Sequence, residues 1–196
     1  FHRFFYSYRI CARIVSRRIG QGTDYYAIHV KGLELPGYDP RGAKAHGLNL
    51  MTQSIGADHN SGYAPQEVFG IPYQGKVLDR FATEGKGALA KHNQDITAIH
   101  DSCILCAFPS ILFFSGNFKM LSDLLVSATG IQEFADEDYL VAIGERIFNL
   151  ERMYNVREGF GRKDDVMPGR ITQQALPAGP SAGSMFEAEE LLDDYY

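Results

Sequence analysis

Between Asp136 and Gly159 the chain runs without a proline, and its apolar residues Tyr139, Ile143, Ile147, Leu150 and Tyr154 recur at helical intervals. That periodicity predicts a helix over 137–158, with Asp136 as its N-cap and Gly159 just past its end. No other feature limits the fold as strongly, because so long an amphipathic helix has to lay one face against other elements. Weaker stripes predict helices over 8–19 with Gly20 as a stop, from the Asp39-Pro40-Arg41-Gly42 turn through Leu48, Leu50 and Met51 to near Gly56, and over 86–107. Two more are expected over 117–129, with Gly130 as a stop, and over 186–192. Residues 24–35 are β-branched and aromatic enough for a short extended piece. The stretch from Gly56 to Lys86, rich in Gly, Pro, Asn and Tyr, reads as a long irregular loop of the kind that carries function or moves. After Gly159 the chain turns polar and turn-rich, so 160–196 is expected to be a tail ordered by docking. The predicted fold class is all-α, one multi-helix domain over 1–196 with a long irregular loop segment.

Composition narrows the chemistry. With 45% hydrophobic and 22% charged residues, the chain suits one globular domain with a real core. A formal charge of −5 offers no electrostatic reason for nucleic acid. Arg9, Arg13, Arg17 and Arg18, at helical spacing, read as a solvated helix face. No run reaches the length of a membrane span. The opening Phe1-His2-Arg3-Phe4-Phe5 has neither an initiator Met nor a signal-peptide pattern, which reads as a fragment. Three cysteines, Cys11, Cys103 and Cys106, cannot all pair internally, which favours a reducing, cytoplasmic setting.

Cys103 and Cys106 form one Cys-x-x-Cys. Alone it is half of a zinc or iron–sulfur site, or else two small apolar residues on a helix beside Ile99. On a continuous helix their sulfurs share one face. The intervening Ile104 and Leu105 and the lack of a strand–loop–helix setting exclude a thioredoxin-like motif. Asp101, in an apolar run, reads either as an acceptor for the N–H groups of a polar ligand or as a helix N-cap or surface carboxylate. His59 lies in the Gly56-Ala57-Asp58-His59-Asn60 loop and reads as a catalytic group or as an exposed loop histidine. No His-x-x-x-His, Walker, Rossmann or Gly-x-Ser-x-Gly pattern is present.

Several stretches, in order, resemble the C-terminal region of aldehyde:ferredoxin oxidoreductases. They are Lys31-Gly32-Leu33-Glu34-Leu35-Pro36 leading into Tyr38-Asp39-Pro40-Arg41-Gly42-Ala43, then Gly56-Ala57-Asp58-His59, then Asp101 to Cys106. Gly144-Glu145-Arg146-Ile147-Phe148-Asn149-Leu150-Glu151-Arg152 follows, then Arg157 to Phe160 and Arg162-Lys163-Asp164-Asp165. The resemblance covers 24–196. It implies an enzyme in which tungsten, held by two pterin dithiolenes beside a 4Fe–4S cluster, oxidises an aldehyde with water to a carboxylic acid and sends the electrons to ferredoxin. Molybdenum is the alternative metal.

The family's Asp-x-x-Gly-Leu-Cys motif falls on Asp101 to Cys106. By that match Cys106 is the last cluster ligand, Asp101 and Leu105 contact one pterin, and His59 stands beside the metal as acid or base. This chain departs from the pattern at Ile104, where the motif has glycine, and at Ser54, Ile55 and Ser61, near positions where relatives carry arginine or lysine. The resemblance places the other three cluster cysteines in N-terminal domains of the same enzyme, so the chain is expected to be inactive alone. The partners it implies are those domains, ferredoxin and a second copy in a homodimer, with no nucleic acid or membrane. Two competing readings are a non-catalytic helical binding module with buried cysteines, and a related tungsten enzyme acting on an aromatic thioester or acid.

Overall fold

The computed structural model describes residues 11–110 and 118–196. Of the helix expected over 8–19, the described part is α1, Cys11–Ile19; residues 8–10, and Arg9 with them, lie outside. The segment read as extended is a 3-10 turn at Thr23–Tyr26 followed by a two-residue antiparallel hairpin, β1 His29–Val30 with β2 Leu33–Glu34. Lys31 and Gly32 join these strands with φ of 51° and 85°. Positive φ at both central residues is what a tight right-twisted hairpin needs. A 3-10 turn at Pro40–Gly42, capped by the Asp39 carboxylate, leads into α2, Lys44–Thr52, which is buried all round. The expected loop from Gly56 to Lys86 contains only one helical turn, α3 at Pro65–Val68.

Helix α4, Lys86–Ser102, is the centre of the molecule and packs against α2, the long helix α7 (Glu137–Arg157) and the final helix α9 (Ala188–Tyr195). It ends five residues earlier than the apolar spacing predicts, because the chain turns sharply at Cys103–Leu105 before the short α5, Ala107–Pro109. Cys103 and Cys106 therefore do not share a helix face. Helix α6, Phe118–Thr129, precedes α7, whose N-cap is Asp136 as expected; its Oδ1 accepts from the amides of Asp138 (3.0 Å) and Tyr139 (3.3 Å). The one-turn α8, Gly169–Gln173, lies between α7 and α9.

The face that α7 buries differs from the stripe its sequence suggests. Leu140, Gly144 and Phe148 point inward, while Tyr139, Leu150 and Tyr154 are 45%, 67% and 56% exposed. The reason lies at Gly144. A Cβ built there would stand 2.1 Å from the Asp95 carbonyl oxygen, so the α4 backbone approaches along the one line where α7 has no side chain. Close approach of this kind outranks the size of the apolar residues on another face.

Among the described residues three apolar clusters result. The largest joins Val30, Leu48, Leu50, Met51, Ala57 and Ala90 to Met167, Ile171, Phe186, Leu191 and Leu192, so residues past Gly159 are part of the main core. Ile99, Leu121 and Leu140 form a second, beneath the α4–α5 turn, and Ala45, Ala64 and Leu89 a third. Among the described residues, no helix is long and apolar enough to cross a membrane.

A buried ionic knot closes the structure. The Asp165 side chain is fully buried, takes Lys31 Nζ at 2.5 Å and Arg152 Nη2 at 2.8 Å, and accepts from the Tyr196 hydroxyl at 2.6 Å. Lys31 Nζ also donates to the carbonyls of Met51 and Gln53 at the end of α2. Burial works to raise the Asp165 carboxyl, and its Arg152, Lys31 and Tyr196 donors outweigh that, holding it below the usual carboxylate range. A depressed carboxyl contributes stability that is fully present above about pH 4 and is lost as pH falls through its folded-state value.

Two outcomes are expected. Asp165→Asn, which leaves two buried cations without their counter-charge, should lower unfolding free energy by about 3–5 kcal/mol and flatten the acid limb of stability against pH, read by urea denaturation between about pH 3 and 7. Gly144→Ala should cost about 1–3 kcal/mol by forcing α4 and α7 apart, read as a lower thermal midpoint.

Candidate functional site

The turn after α4 is built from three backbone hydrogen bonds. Ile104 N–H donates to the Asp101 carbonyl, Leu105 N–H to the His100 carbonyl and Cys103 N–H to the Ile99 carbonyl, each at 3.0 Å. The first two are the paired bonds of a Schellman helix stop, with Ile104 in the position that adopts a left-handed conformation. Ile104 has φ of +58° and is 93% exposed. Helix α7 ends the same way. Gly159 (φ +92°) donates to Val156 and Phe160 to Asn155, and there the left-handed residue is glycine. The two ends serve as an internal comparison: one geometry, filled by glycine in one place and by a β-branched residue in the other.

This stop sorts the residues around it. Leu105 packs inward against the cluster of Ile99, Leu121 and Leu140, as the hydrophobic contact of such a motif requires. Cys103 packs there too, and burial pushes its thiol up. Cys106, one residue beyond Leu105, is a free thiol exposed at the surface. The buried-cysteine reading thus describes Cys103 and not Cys106. Among the described residues, no group of three or more His, Cys, Asp or Glu side chains stands together as a metal site. Cys106 can supply one ligand to a site completed from elsewhere.

Asp101 sits at the chain surface in the last turn of α4. The packing around its carboxyl, followed by the negative charges of Asp58 and Glu151, pushes it above the ordinary carboxylate value. No described side chain donates to it. A carboxylate in such a position is stabilised in its charged form by N–H donors. Between the loop at 60–65, α4 and the start of α5 lies a cavity of about 30 Å³, lined by Asn60, Tyr63, Asn93, His100, Asp101 and Ala107 among others. Of the sequence-predicted residues only Asp101 lines this cavity; Asn60 follows His59 and Ala107 follows Cys106, so the other two predicted residues border it only through their chain neighbours.

Sequence reasoning missed the group of rings that reaches His59 through Tyr38. Tyr38 lies 5.8 Å from His59 between centroids, and Tyr38 and Tyr63 pack edge-on to His46 at 5.5 Å and 5.0 Å. His46, on α2, is 1% exposed, and neither ring nitrogen has a partner among the described residues. Burial, then the nearness of His59, lowers it to about 4, so it is neutral at ordinary pH. The only sequence signal was position: Tyr38 and His46 flank the Asp39-Pro40-Arg41 turn, whose cap folds them onto one side.

The family model described as "Aldehyde ferredoxin oxidoreductase, domains 2 & 3" matches residues 11–196. The chain is 39% identical over 177 residues to the tungsten-containing aldehyde ferredoxin oxidoreductase of Pyrococcus furiosus, covering 89% of this chain and 28% of that protein. Proteins of the same description from Pyrococcus abyssi and Thermococcus kodakarensis are 37% and 36% identical over the same span. The chain thus spans 28% of the length of these curated relatives.

Replacing Ile104 by glycine tests the helix stop directly. An L residue in the left-handed region costs about 1–2 kcal/mol, and glycine gives back about 0.5–1 through its freer unfolded state. Because the Ile104 side chain packs on almost nothing, Ile104→Gly should raise stability by about 0.5–1 kcal/mol, measured as a higher thermal midpoint.

Proposed function

The chain belongs to the aldehyde ferredoxin oxidoreductase family, and on that premise we propose that it forms one wall of a tungsten-dependent site that oxidises aldehydes to carboxylic acids. The overall reaction adds the oxygen of a water to the aldehyde carbon and releases two protons and two electrons. A bound tungsten–bispterin group would supply the two-electron acceptor for this oxidation, and a 4Fe–4S cluster would supply the one-electron route to ferredoxin.

The residues present fit these groups. Cys106 offers an exposed, unpaired thiol on a chain segment fixed by the helix stop, suited to be one of the four thiolates a cluster needs. Asp101 is a carboxylate flanked by like charges and without a side-chain donor among the described residues, suited to accept from the ring N–H groups of a pterin. Leu105 holds the segment between them against the second core, so that Asp101 and Cys106 keep a fixed spacing. His59, half-buried in a loop anchored on the end of α2, is placed to hold the aldehyde oxygen by a hydrogen bond or to take a proton from the attacking water. The remaining cluster thiolates would come from the part of the polypeptide that this chain does not span.

The observation that carries the reading is the outward turn of Cys106 just past Asp101, whose cavity is also lined by Asn60 of the histidine loop. In the full-length enzyme, Cys106→Ala should abolish cluster iron and acid-labile sulfide together with the cluster's electron paramagnetic resonance signal, while Cys103→Ala should retain them. Full iron content in the Cys106→Ala enzyme would overturn the assignment.

A further inference from the structure

We propose that Tyr38, Tyr63 and Phe69 form a wall of rings beside His59 that selects uncharged aromatic aldehydes; this rests on the reading of His59 as the group at the reacting carbonyl. The rings are continuous. Tyr63 lies 5.9 Å from Tyr38 and 6.0 Å from Phe69 between centroids, and Tyr38 reaches His59 at 5.8 Å with a tilt of 39°. All of these spacings fall in the range of about 4.5–7 Å at which aromatic pairs attract beyond simple burial. The row is open on its outer side: Tyr38 is 43% and Phe69 65% exposed, although each packs on Tyr63 along one edge. A flat apolar group attached to an aldehyde held at His59 would extend the row by one more ring.

Three further observations support a substrate surface. His46 forms the buried floor of the cluster, and its two unpartnered ring nitrogens call for a polar group that the described residues do not supply. Burial, then the neighbouring Tyr38 hydroxyl, holds the Tyr63 phenol above its ordinary value. The cations nearby are committed elsewhere. From residue 31 to 68 the lysines and arginines are Lys31, Arg41 and Lys44, and they bind Asp165, Asp39 and Glu187. An aldehyde carrying a carboxylate would find no unpaired cation in this described stretch and would meet Asp58, whose charge already acts on Asp101. Both arguments point to the same class, aromatic and without charge.

The experiment uses the full-length, tungsten-loaded enzyme with Phe69→Leu and Tyr38→Leu, which keep apolar bulk and remove the ring, alongside Phe69→Tyr, which restores it. The probes are benzaldehyde, acetaldehyde and succinic semialdehyde. The Leu variants should lower the benzaldehyde-to-acetaldehyde ratio of kcat/KM by about tenfold, with tungsten content unchanged and the ratio retained in Phe69→Tyr. In the unaltered enzyme succinic semialdehyde should be the poorest of the three. An unchanged ratio, or an equal fall for every aldehyde, overturns the wall. Loss of bound tungsten in the Leu variants, with Phe69→Tyr still loaded, assigns the rings to the cofactor and overturns it as well. His59→Asn separates this from its premise. Unimpaired turnover there would sink the role of His59, whereas lost turnover with an unchanged substrate ratio in the Leu variants would sink the wall alone.

Discussion

A single buried carboxylate, Asp165, ties together four parts of the chain that are far apart in sequence. Its donors come from the hairpin turn at Lys31, from α7 at Arg152 and from the last residue, Tyr196. Burying the charges of Asp165, Lys31 and Arg152 is costly unless the geometry is fixed, and the geometry can be fixed only if each of those elements is in place. The arrangement also reaches the site. Lys31 binds the two carbonyls at the end of α2, and the loop carrying His59 departs from that end. Lys31 adopts a left-handed backbone in order to stand at the hairpin turn, so a locally unfavourable conformation is held by the interaction it makes possible.

Much of the helical content was legible in the sequence for local reasons. Asp136 caps α7 and Gly159 ends it, as residue type and position dictate. Gly20 and Gly130, expected as stops, both have positive φ. The end of α4 was not legible. Its stop residue is isoleucine, which carries no stop signal, and apolar residues continue at helical spacing past it. The inward face of α7 was hidden for a related reason: an apolar stripe records which residues avoid water, while the approach of α4 is set by the missing side chain at Gly144.

The site was legible in parts and by different routes. Asp101, Leu105 and Cys106 are adjacent in sequence, so a motif can mark them. Tyr38, His46, Tyr63 and Phe69 come from a bend, the helix α2, a loop and the residue just past α3, and no spacing rule links them. What joins them is α2, a helix buried on every side, whose Gly47 lies so close to Phe186 and Pro40 that a Cβ would meet them at 2.4 Å and 2.7 Å. The helix is locked in rotation, and His46 is turned toward the rings as a result.

The helix stop after α4 bears on the order in which such an enzyme is assembled. Loops that bind metals commonly become ordered when the metal arrives, and the affinity is diminished by that ordering. Here the segment from Asp101 to Cys106 is shaped by its own backbone bonds and by Leu105 in the core, with no metal needed to hold it. On the proposed role of Cys106, insertion of a cluster would meet a sulfur that folding has already set, and the slow step would shift from arranging this ligand to bringing up the others.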